Sequence, residues 1–335
     1  MRLTLSTEQE QFAAVLHTML TEADIPTVAH RWAADDPSPG QLVWRQLADL
    51  GVTGLAVPTR WGGLAAHPAD IVVACEELGH HALPGPVAES IAAIPTLLTA
   101  LGDDALCETW LPRLATGELV GTLTVPPHVP YATDADVAAL VLRAGAQTLR
   151  LGVPGARLRS VDDTRRLTEV IDGALLADGP AVGSAVAHAL DAGALACAAQ
   201  LLGAGHALLE ASVRYAGQRT QFGRPVGQFQ AVKHMLADVA IGLEFARPLL
   251  FAAAVALADQ TPTAARDVSA AKVACADAAR RAARTALQVH GAIGYARESG
   301  LDSWLTRIWA LVRAWGTQSW HRGRIMAAVT DGGRT

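Results

Sequence analysis

What this sequence lacks narrows its class before anything it contains. Cysteine is scarce: Cys75, Cys107, Cys197 and Cys275 are the only four in 335 residues, and no two of them form a CxxC pair. That spacing suggests neither a disulfide framework nor a metal knot. They read as buried thiols in a reducing cytoplasm, and no metal ligands are expected. Basic charge is in deficit, with 27 Lys and Arg against 32 Asp and Glu, a formal net charge of −5. A mildly acidic chain without a basic stripe is a poor partner for nucleic acid. The N-terminus, MRLTLSTEQEQF, has no apolar centre of the kind a secretory signal needs. No apolar run reaches the ~18 residues of a membrane span, and the longest, PLLFAAAVALA, reads as a buried helix. Charged residues amount to 18% and hydrophobic ones to 51%, which excludes disorder and predicts a large core.

The pattern divides the chain into residues 1–118, 119–179 and 180–335. The first stretch is helical. Ser6 with Gln9 three residues on forms a capping box, Ser38, Pro39 and Gln41 repeat that signature, and Gly51 closes the second helix. Helices follow over 68–79, 87–101 and 103–116, with Glu76 and Glu77 of IVVACEELG turned outward. From Leu119 short β-type runs appear, LVGTLTV, VAALVLRA, QTLRLGV and TEVIDG, and predict a small antiparallel unit. Beyond Gly183 the chain is Ala-rich and predicts four long helices over 183–217, 229–259, 263–289 and 302–329, a bundle. The fold class is α+β.

Two inter-helix segments carry chemistry. RTQFGRPVGQFQ offers Arg219 as a planar donor fork for phosphate, Phe222 as an aromatic surface, and Gly223, Pro225 and Gly227 as a shaped loop. Gln230 then opens a helix whose N-terminus favours anions. QVHGAIGY brings Gln288 and a Gly-rich turn of Gly291, Ala292 and Gly294. Alone, each says only that an anionic ligand with a flat group is admissible, or that a helix ends in a turn.

In this order the segments resemble the acyl-CoA dehydrogenase family, with its R-x-Q-F-G and Q-x-H-G-G-x-G-Y motifs. GLAVPTRWGG, EELGHHALPGP and ETWLPRLATGEL resemble its N-terminal stretches, so the resemblance covers nearly the whole chain. It implies a helical N-domain, a middle β domain reduced in size and a C-terminal four-helix bundle. It implies FAD held across a subunit interface by Arg219, with Gln221, Phe222, Val226, Phe229 and Gln230 beside the ADP half. Gln288, Gly291, Ala292 and Gly294 match the loop at the adenosine and pyrophosphate. Ala292 departs from the family by one methyl. Thr317, in WGT, matches a threonine that contacts flavin nucleotide within one subunit.

Two departures stand out. The family's carboxylate base lies just before G-T near the C-terminus, or twenty-six residues before the motif arginine. Here those positions are Trp315 and Gly193. Asp191 is about 200° around the helix from Gly193 and faces elsewhere, reading as a solvated residue. Glu210 and Glu244 read as surface or inter-helix groups. The T-E-P-x-x-G-S-D loop is also missing, replaced by TLTVPPHVPYATDADV. The combination resembles the short subunit of actinobacterial α2β2 dehydrogenases that shorten steroid side chains. That implies a longer partner carrying the Glu base, an acyl-CoA substrate, and electron-transfer flavoprotein as acceptor. The alternatives are a homo-oligomeric dehydrogenase or flavin oxygenase with a relocated base, and a non-catalytic stabilising subunit. His80, His81, His234 and His321 read as ordinary helix residues. His290 reads as a cofactor contact or a local cap.

Overall fold

The computed structural model describes residues 4–296 and 300–332. Helix α1 (Thr7–Glu22) starts with the expected capping box: Ser6 Oγ accepts from the Gln9 amide, and Gln9 Oε1 accepts from the Ser6 amide at 3.0 Å. Helix α2 (Ile25–Ala33) was not expected. It buries Ile25, Val28, Ala29 and Trp32, one stripe of a short helix, and the Trp32 indole donates to buried Asp134 at 3.0 Å. Helix α3 runs Ser38–Asp49, but Ser38 is its first helical residue and not its cap. Asp36 Oδ1 accepts from the Ser38 amide at 3.1 Å instead, because Asp36 precedes Pro37 and can reach back over the open turn.

Helix α4 (Pro68–His80) corrects the expectation for Glu76. Glu76 is 9% exposed and lies 3.3 Å from His206 and 3.4 Å from Arg247. The helix is covered on that side because α7 (Pro180–Gln218) crosses it at backbone contact. A Cβ on Gly203 would fall 1.9 Å from the Glu76 carbonyl, so only glycine permits the crossing. The segment read as one helix over 87–101 is a π-turn (Ala88–Ala93) followed by α5 (Ile94–Leu101). Helix α6 (Asp104–Ala115) closes the first stretch.

The middle sheet has five strands: β1 (Gly121–Thr124), β2 (Ala132–Thr133), β3 (Leu140–Ala144), β4 (Thr148–Leu158) and β5 (Leu167–Asp178). Their order is β1-β3-β4-β5-β2. It is mixed and not purely antiparallel, since β1 pairs parallel to β3. Residues 125–139 make a crossover that contains β2, so no hairpin can join β1 to β3.

Three long helices dominate the rest: α7 of 39 residues, α8 (Gln230–Ala258) and α9 (Ala264–His290). By length and composition α7 and α8 could each cross a membrane, contrary to the scan of uninterrupted apolar runs, because alanines space out few charges. The most apolar window of α7 is 83% buried inside this fold. The fourth helix is broken. It is two helices, α10 (Asp302–Leu311) and α11 (Gln318–Gly332). Trp315 at φ 58° and Gly316 at φ 90° turn the chain between them.

The C-terminal part is bolted to the rest through Arg307 of α10. Its Nε donates to Asp162 Oδ2, Nη1 to the Leu83 carbonyl and Nη2 to Thr164 Oγ1, each at 2.6 Å. Burial alone would raise the Asp162 carboxyl, but the Arg307 charge and the Thr164 hydrogen bond outweigh it and hold the carboxyl below its usual range.

Candidate functional site

The two vacated base positions meet. A Cβ on Gly193 would lie 2.2 Å from Cζ3 of the Trp315 indole, so the ring rests directly on the α7 backbone. Trp315 is 1% exposed. Its placement comes from the α10–α11 break: the positive φ at Trp315 aims the side chain inward, and His321 Nε2 donates to the Trp315 carbonyl at 2.9 Å. Around it, the Gly316 amide donates to the His128 carbonyl at 3.2 Å, and the His128 ring stacks on Trp320 at 4.0 Å. The loop that replaces the expected acidic motif therefore packs on the α10–α11 turn. Thr317 is exposed and its hydroxyl accepts from the Trp320 amide, capping α11.

Asp191 is not the solvated residue that was expected. It is 6% exposed, with Arg324 of α11 2.8 Å away in an ion pair that is not aligned as a hydrogen bond. Its orientation away from Gly193 brings it under α11 and not to the surface. Glu210 pairs with His80 at 3.1 Å, and Glu244 is exposed. His321 is also no ordinary surface histidine: it is fully buried, and burial, with Lys272 nearby, pushes its imidazole down to about 4.

The other named residues form an exposed edge. Thr220–Gln221 (β6) and Arg224–Pro225 (β7) pair as a hairpin. Its two turn residues, Phe222 and Gly223, both have positive φ, 53° and 76°, as a tight hairpin turn requires. This presents the Phe222 ring 92% to solvent, packed only edge-on against Phe229. Arg224 covers the Phe229 ring at 4.2 Å. Arg219, Gln221, Gln230, Gln288, Gly291 and Ala292 are exposed, Val226 and Phe229 are half-buried, and Gly294 is buried. The two motifs join through Tyr215 and His290, whose rings stack at 4.2 Å. His290 Nδ1 donates to the Ala286 carbonyl, so its bond is a local cap. Beside this junction lies a cavity of about 960 Å³, lined among others by Arg214, Tyr215, Gln218, His290 and Ile293.

This edge fits a dinucleotide cofactor such as FAD. Apart from their chain neighbours, Gly223 and Gly291 have no atom of the described residues within 4 Å of their Cβ positions, so the space beside them is open. Among the described residues no side-chain cap bond is made at the start of α8, and a 29-residue helix directs positive potential there. Arg219 and three glutamines add exposed donors for a pyrophosphate. The Trp315 wall offers no such donor set.

One residue escaped the sequence reading. Glu89, in the π-turn, is 3% exposed, and burial pushes its carboxyl up against the nearby Arg165 charge. Thr133 Oγ1 donates to it at 3.4 Å. A lone acid inside the apolar run VAESIAAIPTLL was the signal available.

Comparison with known proteins decides the family. The signature described as "Acyl-CoA dehydrogenase, N-terminal domain" matches residues 6–118, and "Acyl-CoA dehydrogenase, C-terminal domain" matches residues 183–330. The acyl-CoA dehydrogenase IpdE2 of Mycobacterium tuberculosis is 30% identical over 303 residues, 90% of each chain. The chain belongs to the acyl-CoA dehydrogenase family. Among solved structures, the ChsE4-ChsE5 complex of Mycobacterium tuberculosis matches with a TM-score of 0.85 at 22% identity, over 98% of this chain and 99% of that one. A steroid acyl-CoA dehydrogenase, Tcur3481-Tcur3483, matches with a TM-score of 0.85 at 22% identity, over 99% and 100%. The chain has the family's fold, with a helical N-terminal domain, a small middle sheet and a helical C-terminal domain, and it belongs among FAD-dependent oxidoreductases.

Proposed function

We propose that this acyl-CoA dehydrogenase chain lacks a catalytic base of its own and supplies the cross-subunit edge of an FAD site whose base lies on a longer partner. The observation that carries the reading is the Trp315 indole seated on Gly193. A carboxylate at either position would serve the same space, and both are replaced by one apolar filling. Bound FAD would supply the hydride acceptor for α,β-dehydrogenation of an acyl-CoA thioester. Arg219 would neutralise pyrophosphate charge, Gln221, Gln230 and Gln288 would donate to the nucleotide, and Phe222, Val226 and Phe229 would cover its flat ring. Gly291, Ala292 and Gly294 would let the α9 turn approach the phosphates, and Thr317, which caps α11, would serve a nucleotide only in the second reading below, where each chain holds its own FAD. The Phe222 hairpin supports the cross-subunit direction, since its ring stays 92% exposed and meets its own chain only edge-on at Phe229 among the described residues.

An α2β2 assembly, a steroid side-chain thioester as substrate and electron-transfer flavoprotein as electron acceptor belong to this proposal. They draw support from the steroid enzyme and the two-component complex that share the fold. A second reading has one observation in its favour: buried Glu89, with its raised carboxyl, is a candidate relocated base in a homo-oligomer.

Native mass spectrometry with flavin absorbance separates them. A heteromer carrying about one FAD per two chains, and losing flavin on desalting when Arg219 is changed to Ala, supports the proposal. A homo-oligomer with one FAD per chain, active on an acyl-CoA and silenced by Glu89→Gln, would overturn it.

A further inference from the structure

Away from the flavin edge, three histidines and a carboxylate converge where α1 meets the end of α4. One ring nitrogen from each of His17, His80 and His81, together with a Glu77 carboxylate oxygen, all lie within 4.8 Å of one another. The three rings contact each other, with centroids 4.7–5.2 Å apart. Glu77, His80 and His81 share one face of α4 by their three- and four-residue spacing, and α1 brings His17 from sixty residues away.

The orientation of each ring is the informative part. His80 Nε2 donates to Glu210 Oε2 at 3.1 Å, which leaves Nδ1 as the lone-pair nitrogen; that atom is buried and has no hydrogen-bond partner among the described residues. His81 Nδ1 donates to the Glu77 carbonyl at 3.1 Å, leaving Nε2 as the lone-pair nitrogen, with the Thr21 hydroxyl 3.3 Å away as the contact a metal would displace. A carboxylate or carbonyl holding the far nitrogen is how metal-ligating histidines are oriented.

We infer that His17, Glu77, His80 and His81 form a Zn2+ site that clamps α1 to the end of α4. Imidazole and carboxylate donors suit zinc, and four of them can complete a tetrahedron. Closing from the present spacing to zinc–nitrogen bonds of about 2.0–2.1 Å asks each ligand atom to move by about 1 Å or less. His17 is 49% exposed on its side chain, so the site has an entry path from solvent. Glu210 would be the outer carboxylate that orients His80. Cysteine spacing, the basis for expecting no metal, is blind to this set, because no short motif joins residue 17 to residues 77–81.

The test uses the full chain, with any partner subunit it retains, dialysed against EDTA and then titrated with ZnCl2 by calorimetry, with metal content read by mass spectrometry. One Zn2+ per chain is expected, with a rise in melting temperature. His17→Ala and His81→Ala should each weaken binding by more than about a hundredfold, beyond the loss that outer partners cause, while melting like the metal-free wild type. No stoichiometric uptake, or uptake undiminished in both variants, would overturn the site. Should a variant fold poorly, zinc-edge X-ray absorption of the loaded wild type decides instead: imidazole scattering from several histidines supports the site, and its absence overturns it.

Discussion

At the scale of single residues, the Trp315–Gly193 contact has a measurable energetic signature. Gly193→Ala drives a methyl into the indole, and overpacking of this kind costs about 1–3 kcal/mol. Trp315→Ala leaves a cavity and costs about 3–5 kcal/mol. In the double variant the new methyl faces empty space, so its cost should vanish and the two changes should couple by about 1–3 kcal/mol. Urea unfolding of the four proteins measures this. Additive losses would mean that the indole does not fill the space above Gly193. The same residues show why the loss of a carboxylate at two counted positions could be read without coordinates. The motif arginine and the G-T pair locate the two positions by counting, and neither Trp nor Gly can accept a proton. That the two positions are one place could not be read, since 122 residues separate them.

Among the elements, the break between α10 and α11 matters most. Composition predicts helix through 302–329, and Trp315–Gly316 overrides it because the buried indole and the His321–carbonyl bond outweigh a turn of lost helix. His321 makes this joint sensitive to pH. Its imidazole is held at about 4, against an ordinary 6.5, by burial first and by Lys272 next. The unfolded chain therefore binds the proton first as pH falls. The contribution of His321 is intact above pH 6.5 and is lost progressively between about 6.5 and 4. His321→Gln should flatten that part of the slope, seen as a smaller loss of melting temperature between pH 7 and pH 5 than in wild type. Comparing variant with wild type cancels the parallel effect of His81. An unchanged slope would mean that His321 titrates normally. The missed α2 and the π-turn have related causes: Trp32 anchors its helix by reaching Asp134, 102 residues away, and Asp24 at its N-cap makes no side-chain cap bond.

Over the whole molecule, Arg307 joins the N-terminal stretch, the middle sheet and the C-terminal helices through Leu83, Asp162 and Thr164. Arg307→Met would leave the Asp162 carboxylate buried without its cation, a loss of about 3–5 kcal/mol. It should lower stability near neutrality and separate the melting of the middle domain from that of the helices, read by calorimetry and hydrogen exchange. Because the paired Asp162 carboxyl sits below its usual range, its contribution is present at neutral pH and is lost only as pH falls beneath about 4. The variant and wild type should converge there. A single unshifted transition in the variant would show that this ion pair does not couple the domains.

What the sequence determined by itself is local or ordered along the chain: the helix–sheet–helix succession, the capping box at Ser6, the family motifs and the lack of carboxylates at two counted positions. Each rests on periodicity, on turn chemistry or on motif order, which a linear string carries. Only the tertiary structure decided which residues leave water and which distant residues touch. Glu76, Asp191 and His321 look solvated in their local context and are buried, because helices remote in sequence cover them. Trp315 meets Gly193, Arg307 meets Asp162, and His17 meets Glu77, His80 and His81 for the same reason. Contact across a packed core depends on the crossings of whole helices, and those are set by side chains far along the chain and by close approaches such as the one at Gly203.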